Sequence, residues 1–137
     1  MPLRILLIED NDDARQLLQW MLELEGHDVT AAADGRDGLS RCRDFRPDVA
    51  IVDISLPDMT GYDVARQIRA TSHGSKIVVI AMTGYSSAED RVRALDAGFD
   101  LHLVKPVDPD DLIELLAGCA AGGVGHALRL RRYLLSA

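Results

Sequence analysis

A chain of 137 residues, 47% hydrophobic and 27% charged, fits one soluble globular domain able to bury roughly two-thirds of its unfolded surface. Its formal net charge of −7 disfavours nonspecific binding to nucleic acid or anionic lipid, both polyanions, so no direct nucleic-acid partner is expected. Cys42 and Cys119 lie too far apart in sequence for a disulfide framework or metal-ligand spacing, no signal peptide is visible, and no apolar run approaches the roughly 20 residues that span a bilayer.

Short apolar runs alternate with helical patterns along the chain. Leu3 to Ile8 is apolar except for Arg4 and reads as a first strand. Leu17, Met21 and Leu24 then repeat at helical spacing, with Asp12 or Asp13 as N-cap and Gly26 as stop signal. His27 to Ala32 is a weaker strand, with Val29 and Thr30 its β-formers. Gly35 to Phe45 is a second helix, ended by Arg46-Pro47. Val49 to Val52 is a strand, followed by a helix from Gly61 to Thr71 with Val64, Ala65 and Ile68 as its stripe. Ile77 to Met82 is the fourth strand. The helix Ser87 to Ala97 has a thin apolar face of Ala88, Val92 and Leu95. Leu101 to Val104, interrupted by His102, is the last strand. Asp108 to Ala120 is the last helix, with Leu112, Leu115, Leu116 and Cys119 facing inward. Both cysteines read as small buried or half-buried residues, a usage that fits a reducing cytosol. The histidines at 27, 73 and 126 read as surface residues.

Strand followed by helix, five times over, predicts an α/β doubly wound parallel sheet covered by helices on both faces. The domain reads as residues 1–120. Residues 121–137 read as a Gly-rich linker (Gly122, Gly123, Gly125) and a short basic and apolar tail carrying Arg129, Arg131 and Arg132. That tail is open to three readings: a sixth helix, the start of a further domain, or a frayed end.

Five polar residues fall at the carboxyl ends of four of these strands. Glu9 and Asp10 follow the first, Asp53 closes the third, Thr83 follows the fourth and Lys105 the fifth. In an open α/β sheet that edge is where ligands bind. Taken singly, each residue has an ordinary explanation as a helix cap, a turn residue or a solvated lysine. Asp53 is harder to explain so, because it closes the run Val49-Ala50-Ile51-Val52, where an unpaired acid is expensive. Together they place three carboxylates, a hydroxyl and an ammonium at one edge. Three neighbouring carboxylates repel one another, and one lysine does not neutralise them. Mg²⁺ suits the remainder, since it takes one or two carboxylates and keeps positions for water and phosphate. A carboxylate is also an accepted nucleophile toward phosphorus, giving an aspartyl phosphate. Thr83 and Lys105 are then suited to hydrogen-bond and neutralise phosphoryl oxygens.

The set Glu9-Asp10, Asp53, Thr83 and Lys105-Pro106 resembles the receiver domains of two-component response regulators. The segment from Asp53 through Pro57 to Gly61, the pair Ala97-Gly98, and Leu103 to Val107 agree with it, and the resemblance covers residues 3 to 120. It implies a flavodoxin-like sheet of order 2-1-3-4-5 with five helices. It also implies that Asp53 is the phosphoacceptor in a phosphorelay, served by a histidine kinase or a histidine phosphotransfer protein. Glu9, Asp10, Asp53 and the main-chain carbonyl of Ser55 would hold Mg²⁺. Lys105 would contact the phosphoryl group through a loop with a cis Lys105-Pro106 peptide, and Thr83 would move toward it.

The family often places Tyr or Phe where His102 stands here, as a ring that turns inward on activation, so His102 is the candidate switch residue beside Thr83. Ser55 and Tyr85 border the phosphoryl position. The signalling surface would run over the fourth strand and helix and the fifth strand and helix, toward a downstream effector protein or domain. Such a domain is not an enzyme in the usual sense: it promotes only its own phosphorylation and dephosphorylation, in the cytoplasm and without membrane contact. The segment Ala81 to Tyr85, with Leu103 to Asp108, is similar to receivers of hybrid histidine kinases.

Two other readings are weaker. A dehalogenase-type phosphatase requires a second Asp two residues after its nucleophile, where Ser55 stands. A phosphorylation-independent pseudo-receiver would have lost one of the acids or the lysine, and this chain retains all of them.

Overall fold

In the computed structural model, which describes residues 2–84, 87–122 and 133–135, the apolar runs become the strands of one parallel sheet. The strands are β1 (Arg4–Ile8), β2 (Asp28–Ala32), β3 (Val49–Asp53), β4 (Val78–Thr83) and β5 (Leu101–Val104). Between and after them run α1 (Asp12–Leu24), α2 (Gly35–Phe45), α3 (Gly61–Arg69), α4 (Ala88–Ala97) and α5 (Pro109–Gly122). The order β2-β1-β3-β4-β5 is the one expected of the family. β1 is central to one half, in register with β2 through Leu6–Thr30 and with β3 through Leu6–Ala50.

Alternation along each strand divides the core in two. Ile5, Leu7, Ile51, Ile80, Met82 and Leu103 face α1 and α5. Leu6, Ile8, Ala50, Val52, Val79 and Ala81 face α2, α3 and α4. Both faces of β1 and β3 are therefore buried, which is why their sequences read as continuous apolar runs. Among the described residues no helix is long and apolar enough to cross a membrane.

Helix starts follow local chemistry. Asn11, Asp34, Thr60 and Ser87 each accept a backbone N–H in the first turn of α1, α2, α3 and α4. The cap of α1 is thus Asn11 rather than Asp12 or Asp13; those two acids occupy its first turn, where the helix dipole favours negative charge. Arg46 ends α2 in a left-handed conformation, φ 52°, and Gly98 ends α4 at φ 110°.

Two helical stripes differ from expectation. α1 buries Leu18 and Leu22, while Leu17 and Leu24 are exposed and Met21 is only partly covered. α4 buries Ala94 and Ala97, while Ala88, Val92 and Leu95 face outward. In both helices the side meeting the sheet is one residue round from the predicted stripe. Helical spacing alone fixes a set of faces, and the docking angle picks one. The stripes of α3 and α5 are buried as expected.

Tyr85, Ser86 and His126 lie outside the described residues, as do 123–132. Within the tail, Leu134 forms an antiparallel bridge to Leu101 at the free edge of β5, directly after a 3-10 position at Tyr133.

Candidate phosphoacceptor site

The site is assembled by three strand ends. Glu9 follows the buried end of β1, and its N–H is bonded to the Ala32 carbonyl at 3.0 Å. Asp53 closes β3. Both residues are almost fully buried, 2% and 3% exposed, whereas Asp10 is exposed. Lys105 leaves β5 with its N–H on the Thr83 carbonyl at 2.7 Å, and the Lys105-Pro106 peptide is cis. Its ammonium turns inward and donates to Asp53 Oδ2 at 2.8 Å and to Glu9 Oε1 at 3.1 Å.

The remaining carboxylate oxygens are held by main chain. Ser55 N–H donates to Asp53 Oδ1 at 3.0 Å, and Asn11 N–H donates to Glu9 Oε2 at 3.2 Å. Burial and the neighbouring Asp53 carboxylate raise the pKa of Glu9, against the opposing pull of Asn11 and Lys105. Burial works against the charge on Lys105, but its bonds to Asp53 and Glu9 outweigh that and raise its pKa. The site therefore holds more negative charge than its lysine offsets. Glu9, Asp10 and Asp53 each place a carboxylate oxygen within 4.8 Å of the others, a donor set suited to a hard divalent cation.

The loop after Asp53 is fixed from several sides. Ser55 bridges to Thr60, Gly61 N–H donates to the Ile54 carbonyl at 2.8 Å, and Ile54 N–H donates to the Met82 carbonyl at 3.0 Å. A Cβ on Gly61 would lie 2.5 Å from the Asp53 carbonyl oxygen, so only glycine permits this approach. Asp58 accepts from the N–H groups of Gly35 and Arg36 at 2.8 and 2.9 Å, tying the loop to the start of α2. Those main-chain donors outweigh desolvation and lower the pKa of Asp58. Sequence reasoning gave Asp58 no role; its position between Pro57 and Gly61 was the only signal.

Thr83 stands at the end of β4 and lines a small cavity with Ile54, Tyr62, Ala94, His102 and Leu135. His102 is half-buried in that wall, its pKa lowered by burial and by Arg91. The structure thus brings Glu9, Asp53 and Lys105 into direct contact, with Asp10 beside them and Thr83 and His102 sharing the adjoining cavity. The histidine at 27 is not simply a surface residue: half-buried, it accepts from the Leu3 N–H at 3.0 Å through Nδ1. Both cysteines are buried free thiols, and burial pushes Cys119 up to about 11, which argues against nucleophilic roles.

A family model described as the response regulator receiver domain matches residues 5–117. The chain belongs to that family. It is 36% identical over 113 residues to the response regulator MprA of Mycolicibacterium vanbaalenii, covering 82% of this chain and 48% of that protein. The receiver thus spans about half the length of that relative. Among solved structures it is similar to the chemotaxis response regulator CheY4 of Vibrio cholerae, with TM-score 0.81 and 30% identity, covering 85% of this chain and 98% of that one. It is also similar to the receiver domain of a sensor histidine kinase from Pseudomonas aeruginosa PAO1, whose structure has magnesium in the active-site cleft. That likeness has TM-score 0.77 and 34% identity, over 85% of this chain and 95% of that one. A general role as phosphoacceptor in two-component signalling goes with the family.

Proposed function

We propose that Asp53 accepts a phosphoryl group from the phosphohistidine of a histidine kinase or phosphotransfer protein, in a reaction that depends on Mg²⁺. The observation that carries this reading is the contact of one lysine with two buried acids, Asp53 and Glu9, beside a third, exposed acid. That cluster is charged and costly, and a structural role alone would be served better by apolar packing.

In the transfer an Asp53 carboxylate oxygen attacks phosphorus, forming a P–O bond as the P–N bond to the donor imidazole breaks. The leaving imidazole keeps that electron pair and takes a proton from solvent. Glu9, Asp10 and Asp53, with the main-chain carbonyl of Ser55, are the residues to hold Mg²⁺, which when bound neutralises charge on the phosphoryl oxygens. Lys105 stays within reach of the new phosphoryl group as a point charge. Thr83 donates its hydroxyl to a phosphoryl oxygen and so carries the change into the cavity it shares with His102. The Ser55 N–H, already on Asp53, keeps the carboxylate oriented.

A groove lined by Asn11, Ala14, Leu17, Lys105 and Pro106 opens beside Glu9. Leu17 is 55% exposed there, and Trp20 further along α1 is 59% exposed. An apolar face next to the reacting carboxylate suits docking of a donor protein, as a phosphohistidine must reach Asp53. The output passes to an effector protein or domain through the α4, β5 and α5 face. Residues 1–120 are the receiver unit in this proposal and 121–137 a tail to it.

The test is intact mass after incubation with Mg²⁺ and acetyl phosphate. Wild type should gain one phosphoryl group, and both Asp53→Asn and wild type in excess chelator should gain none. Equal labelling of wild type and Asp53→Asn would sink the site assignment.

A further inference from the structure

Residues 133–135 cross the one part of the receiver through which its output is proposed to pass. β5 is an edge strand, and an unpaired strand edge is a template for another segment. Here the chain supplies that segment itself. Leu134 bridges Leu101 in antiparallel sense, Leu135 N–H donates to the Asp100 carbonyl at 3.4 Å, and Arg91 Nη2 of α4 donates to the Leu134 carbonyl at 3.4 Å.

The flanking side chains seat on opposite sides of the edge. Tyr133, 5% exposed, joins the core on the α5 side and borders a hollow with Val104, Pro106 and Asp111. Leu135, 7% exposed, joins the core on the α4 side, in the cavity lined by Ile54, Thr83, Ala94 and His102. A few residues thus cover β5 and touch both neighbouring helices. Burial of two large side chains argues for a specific seat. The two 3.4 Å hydrogen bonds, longer than the usual 2.9–3.0 Å, argue that it is separable.

We propose that residues 133–135 are a built-in ligand of the α4–β5–α5 face, displaced when Asp53 carries a phosphoryl group. The inference rests on the phosphoacceptor reading above. The coupling is spatial: Ile54 is covalently next to Asp53, Thr83 ends the neighbouring strand, and both are walls of the cavity that holds Leu135. A Thr83 hydroxyl drawn to a phosphoryl oxygen changes the shape of that cavity. The lid over it is α4, which buries only Ala94 and Ala97 and so is the helix most easily shifted. By linkage, a segment that prefers the unphosphorylated form must also oppose phosphorylation.

Hydrogen exchange on the full chain tests this, read by mass spectrometry on the β5 peptide and on the C-terminal peptide. Wild type, Leu135→Ser and Asp53→Asn are compared in Mg²⁺ with and without acetyl phosphate, with intact mass followed in parallel. In wild type without donor both peptides should be protected, and phosphorylation should speed their exchange about tenfold or more. Asp53→Asn should show no response to donor. Leu135→Ser should exchange fast from the start, while exchange in β1 and β3 stays slow, and should reach a several-fold higher ratio of phosphorylated to unphosphorylated protein than wild type at the same donor concentration. Phosphorylated wild type with unchanged exchange would overturn displacement while leaving the phosphoacceptor reading intact; absence of a phosphoryl group on wild type would overturn the latter first. Protection that disappears on tenfold dilution would assign the contact to a second copy of the chain and overturn the internal one.

Discussion

Lys105 Nζ lies 2.8 Å from Asp53 Oδ2, joining residues 52 positions apart in the chain. The same ammonium reaches Glu9 Oε1 at 3.1 Å, 96 positions away. One cation thus ties the ends of β1, β3 and β5 together at the reacting edge. Its main chain is fixed by the bond from the Lys105 N–H to the Thr83 carbonyl at 2.7 Å.

Replacing Lys105 by Met keeps the aliphatic stem and removes the charge. Two nearly buried acids are then left facing each other. The cost at pH 7 in metal-free protein is expected to be about 1–3 kcal/mol, below the figure for breaking a fully buried pair because the lysine side chain is 34% exposed. The raised pKa of Glu9 fixes the sign of the pH dependence. The folded state holds that proton more tightly than the unfolded chain, so its contribution favours folding below the ordinary value of 4.5 and is lost as pH rises through the folded pKa. The deficit of Lys105→Met relative to wild type should therefore shrink on going from pH 7 to pH 4.5. Urea unfolding at both pH values measures it; an equal deficit at the two would refute the charge argument.

Gly61→Ala places a methyl against main chain, 2.5 Å from the Asp53 carbonyl oxygen and 2.7 Å from Ile54 Cα. Backbone cannot rotate out of the way as a side chain can. A loss of about 1–3 kcal/mol is expected, together with slower phosphorylation, because the displaced segment carries the Ser55 N–H that orients Asp53. Denaturant midpoints and acetyl phosphate labelling rates check the two effects. Unchanged midpoint in Gly61→Ala would show that the loop has room the structure does not display.

The histidine at 27 makes a pH-dependent link between the starts of β1 and β2. Nδ1 accepts the Leu3 N–H at 3.0 Å, which only an unprotonated ring nitrogen can do. Burial lowers its pKa from 6.5, partly opposed by Glu25. A depressed folded pKa contributes stability above 6.5 that is lost as pH falls through the folded value. His27→Gln keeps an acceptor without a titration, so its stability should fall less than that of wild type between pH 6.5 and 5, by about 0.5–1 kcal/mol. Parallel pH curves for the two proteins would count against this role.

The arrangement of elements was legible because it depends on local signals. Short, β-branched apolar runs such as Val49 to Val52 suit strands buried on two faces, and Gly, Pro and capping residues punctuate the helices between them. The motif positions of Glu9, Asp10, Asp53, Thr83 and Lys105 were legible for the same reason, since each directly follows or closes an apolar run. Helix phase was not. Leu17 and Leu18, like Leu24 and Leu22, are equally apolar in sequence, and only the docking of α1 on the sheet decided that Leu18 and Leu22 go inside.

By itself, then, the sequence determined an alternating α/β chain with its acids, hydroxyl and lysine delivered to one sheet edge, because strand alternation and strand ends are properties of neighbouring residues. The tertiary structure alone decided that Glu9 and Asp53 are buried while Asp10 meets solvent, that Lys105 bridges the first two, that Asp58 grips the start of α2, and that residues 133–135 lie along β5. Each of these is a contact between residues distant in sequence. It is set by how whole elements pack, and no periodicity along the chain encodes it.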